Sequence, residues 1–253
     1  MPNELILSTG TLLGFLLTLA RVSGVFVFVP LPGLHSGFDM ARVILSLSLT
    51  VALFPYWPHV KADASGGLLA VWMISEAAFG IGMGLAVAFV TEGFNMAAQI
   101  LGLQAGYGYA ATVDPASQVD STILVIFAQL AAGLLFFATG LDREVIRIIA
   151  GSLQAAPVEL SQSAGRQILA LGGVMFSTGM RLALPVVAVL LMVDVSLALL
   201  GRVNAQLQLL TIAFPVKMLV GLAIFAWLLL LMPVFLRTGS ATAFNVGRAL
   251  LPR

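Results

Sequence analysis

The 253-residue sequence contains no cysteine. That absence excludes a disulfide framework, a thiol nucleophile and a thiolate metal site. Histidine is nearly missing too. His35 and His59 are the only two, too few for the usual imidazole-based metal centre. Charge is scarce in both signs: Asp, Glu, Lys and Arg make up 9% of residues, against about 25% in a soluble domain whose surface must be wetted. The net charge is +1 and no basic run occurs, which argues against a nucleic-acid partner. Neither H-E-x-x-H nor G-x-S-x-G is present, so the common signatures of intramembrane hydrolysis are missing. No enzyme, no cofactor and no metal are expected.

Hydrocarbon is what the chain does have. Sixty per cent of residues are hydrophobic and the mean hydropathy is +1.07. An integral membrane protein, or part of a larger apolar assembly, is the class that fits. The opening MPNELILSTG lacks the positive region of a secretory signal, so the first apolar segment is expected to be retained.

Apolar runs cover residues 5–29, 43–54, 68–90, 123–141, 168–200 and 209–236. The second is short for a span, which needs roughly 20 residues. Residues 94–103 form a separate, weakly amphipathic piece, and DREVIRIIAGSLQAA reads as an interfacial amphipathic helix. As one straight helix, residues 168–200 would be about 50 Å long, against a hydrocarbon core of about 30 Å. A break near Pro185 is therefore expected, and Pro215 and Pro233 are read as further chain breakers. Lysines and arginines are scattered over most connections, so the positive-inside rule gives no orientation.

Arg21, Glu76, Arg181, Asp194 and Lys217 lie inside apolar runs. Each would cost about 2.5–3.5 kcal/mol at a bilayer centre, so each needs a partner, water or burial in protein. Arg181 and Asp194 are 13 positions apart, on largely opposite faces and about 20 Å apart along one straight helix. Glu76 and Glu92 fail similarly and share a sign. Partners must come from other helices or other subunits. One reading is a proton or ion relay; the other is salt bridges at helix contacts, helped by snorkelling. Gly80 and Gly84 have the i, i+4 spacing of a close helix contact, repeated at Gly10/Gly14 and Gly102/Gly106.

One stretch is unlike the rest: LGLQAGYGYAATVDPASQVDS, residues 101–121. It is too polar for a comfortable span and nearly uncharged for an exposed loop. Gly102, Gly106 and Gly108 open the backbone, and Asp114-Pro115 forms a turn. Such a segment could obstruct an aqueous path without a permanent hydrophobic seal. Equally, it could be a loop packed on its own protein.

The chain resembles the FliR family of type III secretion export-gate proteins over nearly its whole length. The landmarks are ARVSGVFVFVPLPG, SEAAFGIGMGLA, AAQILGLQAGYGYAATVDP, RLALPVVAVLLMVDVSLALLGRV and AFPVKMLVGL, in that order. It departs from the family's pattern at NAQLQLL, where a Pro-Gln-x-Asn run is frequent, and at Asp142, where a histidine is common. The resemblance implies an all-α fold of membrane-associated helical hairpins with broken helices in a closed channel assembly. Residues 1–253 would be one domain, about 1–200 FliP-like and about 201–253 FliQ-like. It implies FliP-like and FliQ-like partners, FlhB- and FlhA-like export components, unfolded flagellar substrates, and a bacterial inner-membrane location in the flagellar basal body. The segment 106–119 would be a lumenal plug, carried by Gly106, Tyr107, Gly108, Tyr109, Ala110, Ala111, Thr112, Val113, Asp114, Pro115, Ala116 and Ser117. A stand-alone ion- or solute-coupled transporter and a pure assembly scaffold remain the alternatives.

Overall fold

The computed structural model describes residues 9–33, 39–58, 66–108, 123–154, 162–203 and 209–249. Among them the chain is helical, with no strand. The helices are α1 (Thr9–Phe28), α2 (Met40–Ala52), α3 (Gly66–Ala105), α4 (Ile123–Ala138), α5 (Leu141–Leu153), α6 (Gln162–Val203) and α7 (Leu209–Ala249), with a 3-10 turn at Phe54–Tyr56. Four helices (α1, α3, α6 and α7) contain stretches long and apolar enough to cross a membrane. The pair α4–α5 could form a fifth crossing, broken by a 64° bend.

The expected apolar runs are helices, but several boundaries differ. Residues 68–90 and 94–103 belong to one helix, the 40-residue α3. Pro185 does not break α6, which runs unbroken for 42 residues. Pro215 and Pro233 likewise lie inside α7, which absorbs most of the polar tail. A proline removes one N–H and frees the carbonyl four residues back. Unwinding the helix there would free several more backbone groups among apolar neighbours that cannot bond them. A single lost hydrogen bond is the smaller cost.

Apolar on all sides, α3 is the central helix, and such a helix is stable only when surrounded. It packs against α1, α4, α6 and α7. Its tightest neighbour is α1. A Cβ on Gly84 would fall 2.5 Å from the Val25 carbonyl oxygen, one on Gly24 would fall 2.6 Å from that of Ala77, and one on Gly80 would overlap the Arg21 carbonyl. Small residues let two backbones approach where no hydrophobic driving force separates protein from lipid. Gly14 serves a loop instead, facing the Pro58 carbonyl 2.6 Å from its would-be Cβ.

The elbow between α4 and α5 turns on Gly140, whose φ of 75° is the left-handed region glycine enters without strain. Beyond it, α5 carries the expected amphipathic pattern: Leu141, Val145, Ile148, Ile149 and Leu153 are buried, while Asp142 and Glu144 occupy the first turn, where acidic groups suit the helix dipole.

Candidate functional site

Arg21 lies on the face of α1 that also buries Leu17, Thr18 and Val25. Helical spacing aims it at α3, where Glu76, Phe79, Gly80 and Met83 are buried. Arg21 Nε donates to Glu76 Oε2, and Nη2 lies against the same oxygen. Nη1 donates to Ser152 Oγ of α5 at 2.6 Å, and that hydroxyl in turn donates to the Ile149 carbonyl at 2.7 Å. The guanidinium also sits 4.9 Å from the centre of the Phe79 ring, within cation–π range. Both charged side chains are fully buried. One ion pair thereby pins α1 to α3, and Ser152 ties α5 to the same point.

A second pair joins the last two helices. Lys217 Nζ of α7 lies 2.8 Å from Asp194 Oδ2 of α6. It is wetter than the first, with Lys217 21% and Asp194 42% exposed. Both pairs satisfy the expectation that partners come from other helices. Arg181 differs. It is exposed on α6 and has no hydrogen bond or ion pair among the described residues.

Sequence reasoning missed Arg42. Its side chain is buried, and Nη1 donates to the carbonyls of Phe26, Val27 and Val29, the last two at 3.2 and 2.9 Å. These lie at the C-terminal end of α1, where carbonyls lack intrahelical donors and the dipole favours a cation. The available signal was an arginine opening a short apolar segment soon after a Pro-x-Pro-Gly break.

The glycine-rich segment begins where α3 ends. Gly106 has a φ of 93°, and its amide donates to the Leu103 carbonyl at 3.2 Å. A Cβ there would fall 3.1 Å from the ring of Phe214 on α7. Tyr107 donates its hydroxyl to the Met218 carbonyl at 2.9 Å. One turn further along α7, Gly221 faces Ala105, so that a Cβ would fall 2.6 Å from the alanine methyl. Phe214, Lys217, Met218 and Gly221 follow the i, i+3, i+4, i+7 spacing of one helix face. The foot of the segment is therefore seated on α7 beside the Lys217–Asp194 pair. Of the plug candidates, Gly106, Tyr107 and Gly108 are described; residues 109–117, and the segment as far as 119, lie outside the described residues.

Chemically this is machinery for holding helices together and for presenting a few polar groups on an apolar surface. Among the described residues no group of three or more histidines, aspartates or glutamates could hold a metal ion.

Comparison with known proteins adds an independent finding. Residues 12–242 match the family described as bacterial export proteins, family 1. The chain is 27% identical to the flagellar biosynthetic protein FliR of Escherichia coli (strain K12) over 232 residues, covering 90% of this chain and 88% of that one. It is 28% identical to FliR of Pectobacterium carotovorum over 201 residues, 78% and 77% of the two chains. It is also 28% identical over 222 residues to the surface presentation of antigens protein SpaR of Salmonella typhimurium, 85% and 81% of the two chains.

Proposed function

The chain belongs to the bacterial export proteins, family 1, and on that premise we propose that it is a subunit of a flagellar type III export gate, lining and closing the channel for unfolded substrates. Relatives named for flagellar biosynthesis match most of the chain, and SpaR matches it comparably; the flagellar reading follows the several further relatives that carry the flagellar name. FliP-like and FliQ-like subunits are its immediate neighbours in this reading, with FlhB- and FlhA-like components further out. The assembly sits in the bacterial inner membrane at the flagellar basal body.

The observation that carries the reading is the surface of α6. Within the isolated chain only 17% of its apolar span is buried, against 56% for α3. Leu184, Leu191, Met192 and Leu199 all face outward. Lipid would accept those side chains. It would not accept Arg181, exposed in the same span, because a lone cation facing hydrocarbon costs about 2.5–3.5 kcal/mol. Neighbouring helices, or a water-filled path between them, remove that cost.

The segment 106–119 is the plug in this reading. Its foot is fixed by the positive-φ Gly106 against Phe214 and by Tyr107 on Met218, so the chain leaves α3 at a defined point and angle. Small, nearly uncharged residues beyond would obstruct a channel without adhering to the polypeptides that pass.

Co-purification with FliP-like and FliQ-like neighbours, followed by mass measurement of the intact complex, tests the assembly. A stable heteromer containing this chain is expected. A monodisperse monomer that takes up a solute unaided in liposomes would overturn the proposal in favour of a secondary transporter. Deletion of residues 106–114 should raise ion leakage through the assembled gate; unchanged conductance would remove the plug.

A further inference from the structure

A cavity of about 360 Å³ opens among α1, α2, α4 and α5, away from both the α6 surface and the foot of the glycine-rich segment. Its walls are almost wholly apolar, with Phe26, Leu45, Leu49, Phe136, Val145 and Ile149 among them. Among the described residues that line it, two side chains, Ser48 and Asp142, carry a polar atom. Ser48 is exposed. Asp142 does not fit its surroundings: its Oδ1 is buried with no hydrogen-bond partner among the described residues. A buried acceptor left without a donor is costly, and a carboxylate oxygen most of all. At about 30 Å³ per water, the space equals roughly a dozen waters, but apolar walls hold water poorly. The cavity fits an apolar chain whose end brings a positive N–H donor.

Asp142 stands at the elbow where the apolar α4 meets the amphipathic α5. The apolar face of α5 is buried in the protein, and its first turn brings Asp142, Arg143 and Glu144 together at that elbow. Arg143, the next residue, is exposed and has no hydrogen bond or ion pair among the described residues. An acceptor in need of a donor thus lines an alkyl-sized cavity, and the next residue in sequence carries an exposed guanidinium. We propose that this cavity binds a phosphatidylethanolamine, its ammonium donating to Asp142, its phosphate facing Arg143 and part of an acyl chain lying between α2 and α4. A choline headgroup has the charge but no N–H to give Oδ1, and a glycerol headgroup has no cation. The site therefore distinguishes headgroups by hydrogen bonding as well as by charge. The inference requires membrane embedding but not the export-gate reading.

Native mass spectrometry of the purified full-length chain, with phosphatidylethanolamine, phosphatidylcholine and phosphatidylglycerol of identical acyl chains, reads the preference. Ethanolamine lipid should be retained about tenfold over the other two, the worth of roughly one charge-assisted hydrogen bond. Asp142→Asn should lower it to the choline level, and Leu49→Trp, which fills the cavity, should abolish retention of all three. Equal retention of the three lipids by the unaltered chain, or an undiminished preference in Asp142→Asn, would overturn the proposal. So would displacement of the lipid on adding FliP-like and FliQ-like subunits, which would assign the cavity to a partner's side chain.

Discussion

The hydroxyl of Tyr107 donates to the carbonyl oxygen of Met218 at 2.9 Å, across 111 positions of sequence. That one bond fastens the chain two residues beyond α3 to the first quarter of α7. It is made by the first bulky side chain of the segment proposed to obstruct the channel. The hydroxyl is the only part of Tyr107 that phenylalanine lacks, so Tyr107→Phe isolates it. A neutral hydrogen bond contributes about 0.5–1.5 kcal/mol. The variant should fold and assemble while the closed gate leaks more ions in planar-bilayer recordings. Unaltered leakage would make the bond an ornament of packing.

Gly106→Ala should be more damaging than its size suggests. The backbone φ of 93° strains any residue with a Cβ by about 1–3 kcal/mol, and the new methyl would press on the Phe214 ring at 3.1 Å. Phe214→Ala in the same chain removes the second cost but not the first. Thermal unfolding in detergent should therefore show partial rescue. Full rescue would mean that the backbone angle carries no strain.

Arg21 and Glu76 are both fully buried, so removing one leaves the other uncompensated. Arg21→Ala or Glu76→Ala should each destabilise by about 3–5 kcal/mol, enough to be seen as lost yield of folded protein. Replacing both, as Arg21→Met with Glu76→Leu, should recover most of the loss, since the desolvation of both ions is removed together. Additive damage in the double variant, by a double-mutant cycle, would contradict the pairing.

The charges on α6 should behave oppositely. Asp194 is 42% exposed in its contact with Lys217, and partly exposed pairs contribute about 0–1 kcal/mol. Arg181 has no partner to lose among the described residues. Arg181→Ala should leave the isolated chain within about 0.5 kcal/mol of the original while lowering the yield of the assembled complex. Loss of stability in the chain alone, with assembly intact, would reverse the assignment of that surface.

Arg42→Ala withdraws a cation from three carbonyls at the end of α1. Hydrogen bonds from charged groups are worth about 1.5–3 kcal/mol. A loss of that order in thermal unfolding is expected, with faster hydrogen exchange in the last turn of α1. Protection unchanged there would show that the carbonyls have other donors.

Much of this was legible in the residues alone. Too few charges to wet a surface and long apolar runs dictated a membrane-embedded helical chain, because backbone groups in hydrocarbon are satisfied within a helix or not at all. The i, i+4 glycines marked the α1–α3 contact, since a missing Cβ is a local property that spacing displays. The 13 positions between Arg181 and Asp194 rule out a pair on one straight helix, so their partners had to lie on other helices or other subunits. The tertiary structure alone decided which partners those were. Arg21 meets Glu76 across 55 positions and Ser152 across 131, and Lys217 rather than Arg181 takes Asp194. It also decided that Pro185, Pro215 and Pro233 stay within unbroken helices, against what their local chemistry suggests. Propensity weighs each residue against water. Here the alternative to a strained helix is backbone exposed to apolar neighbours, and that comparison exists only once the helices have packed.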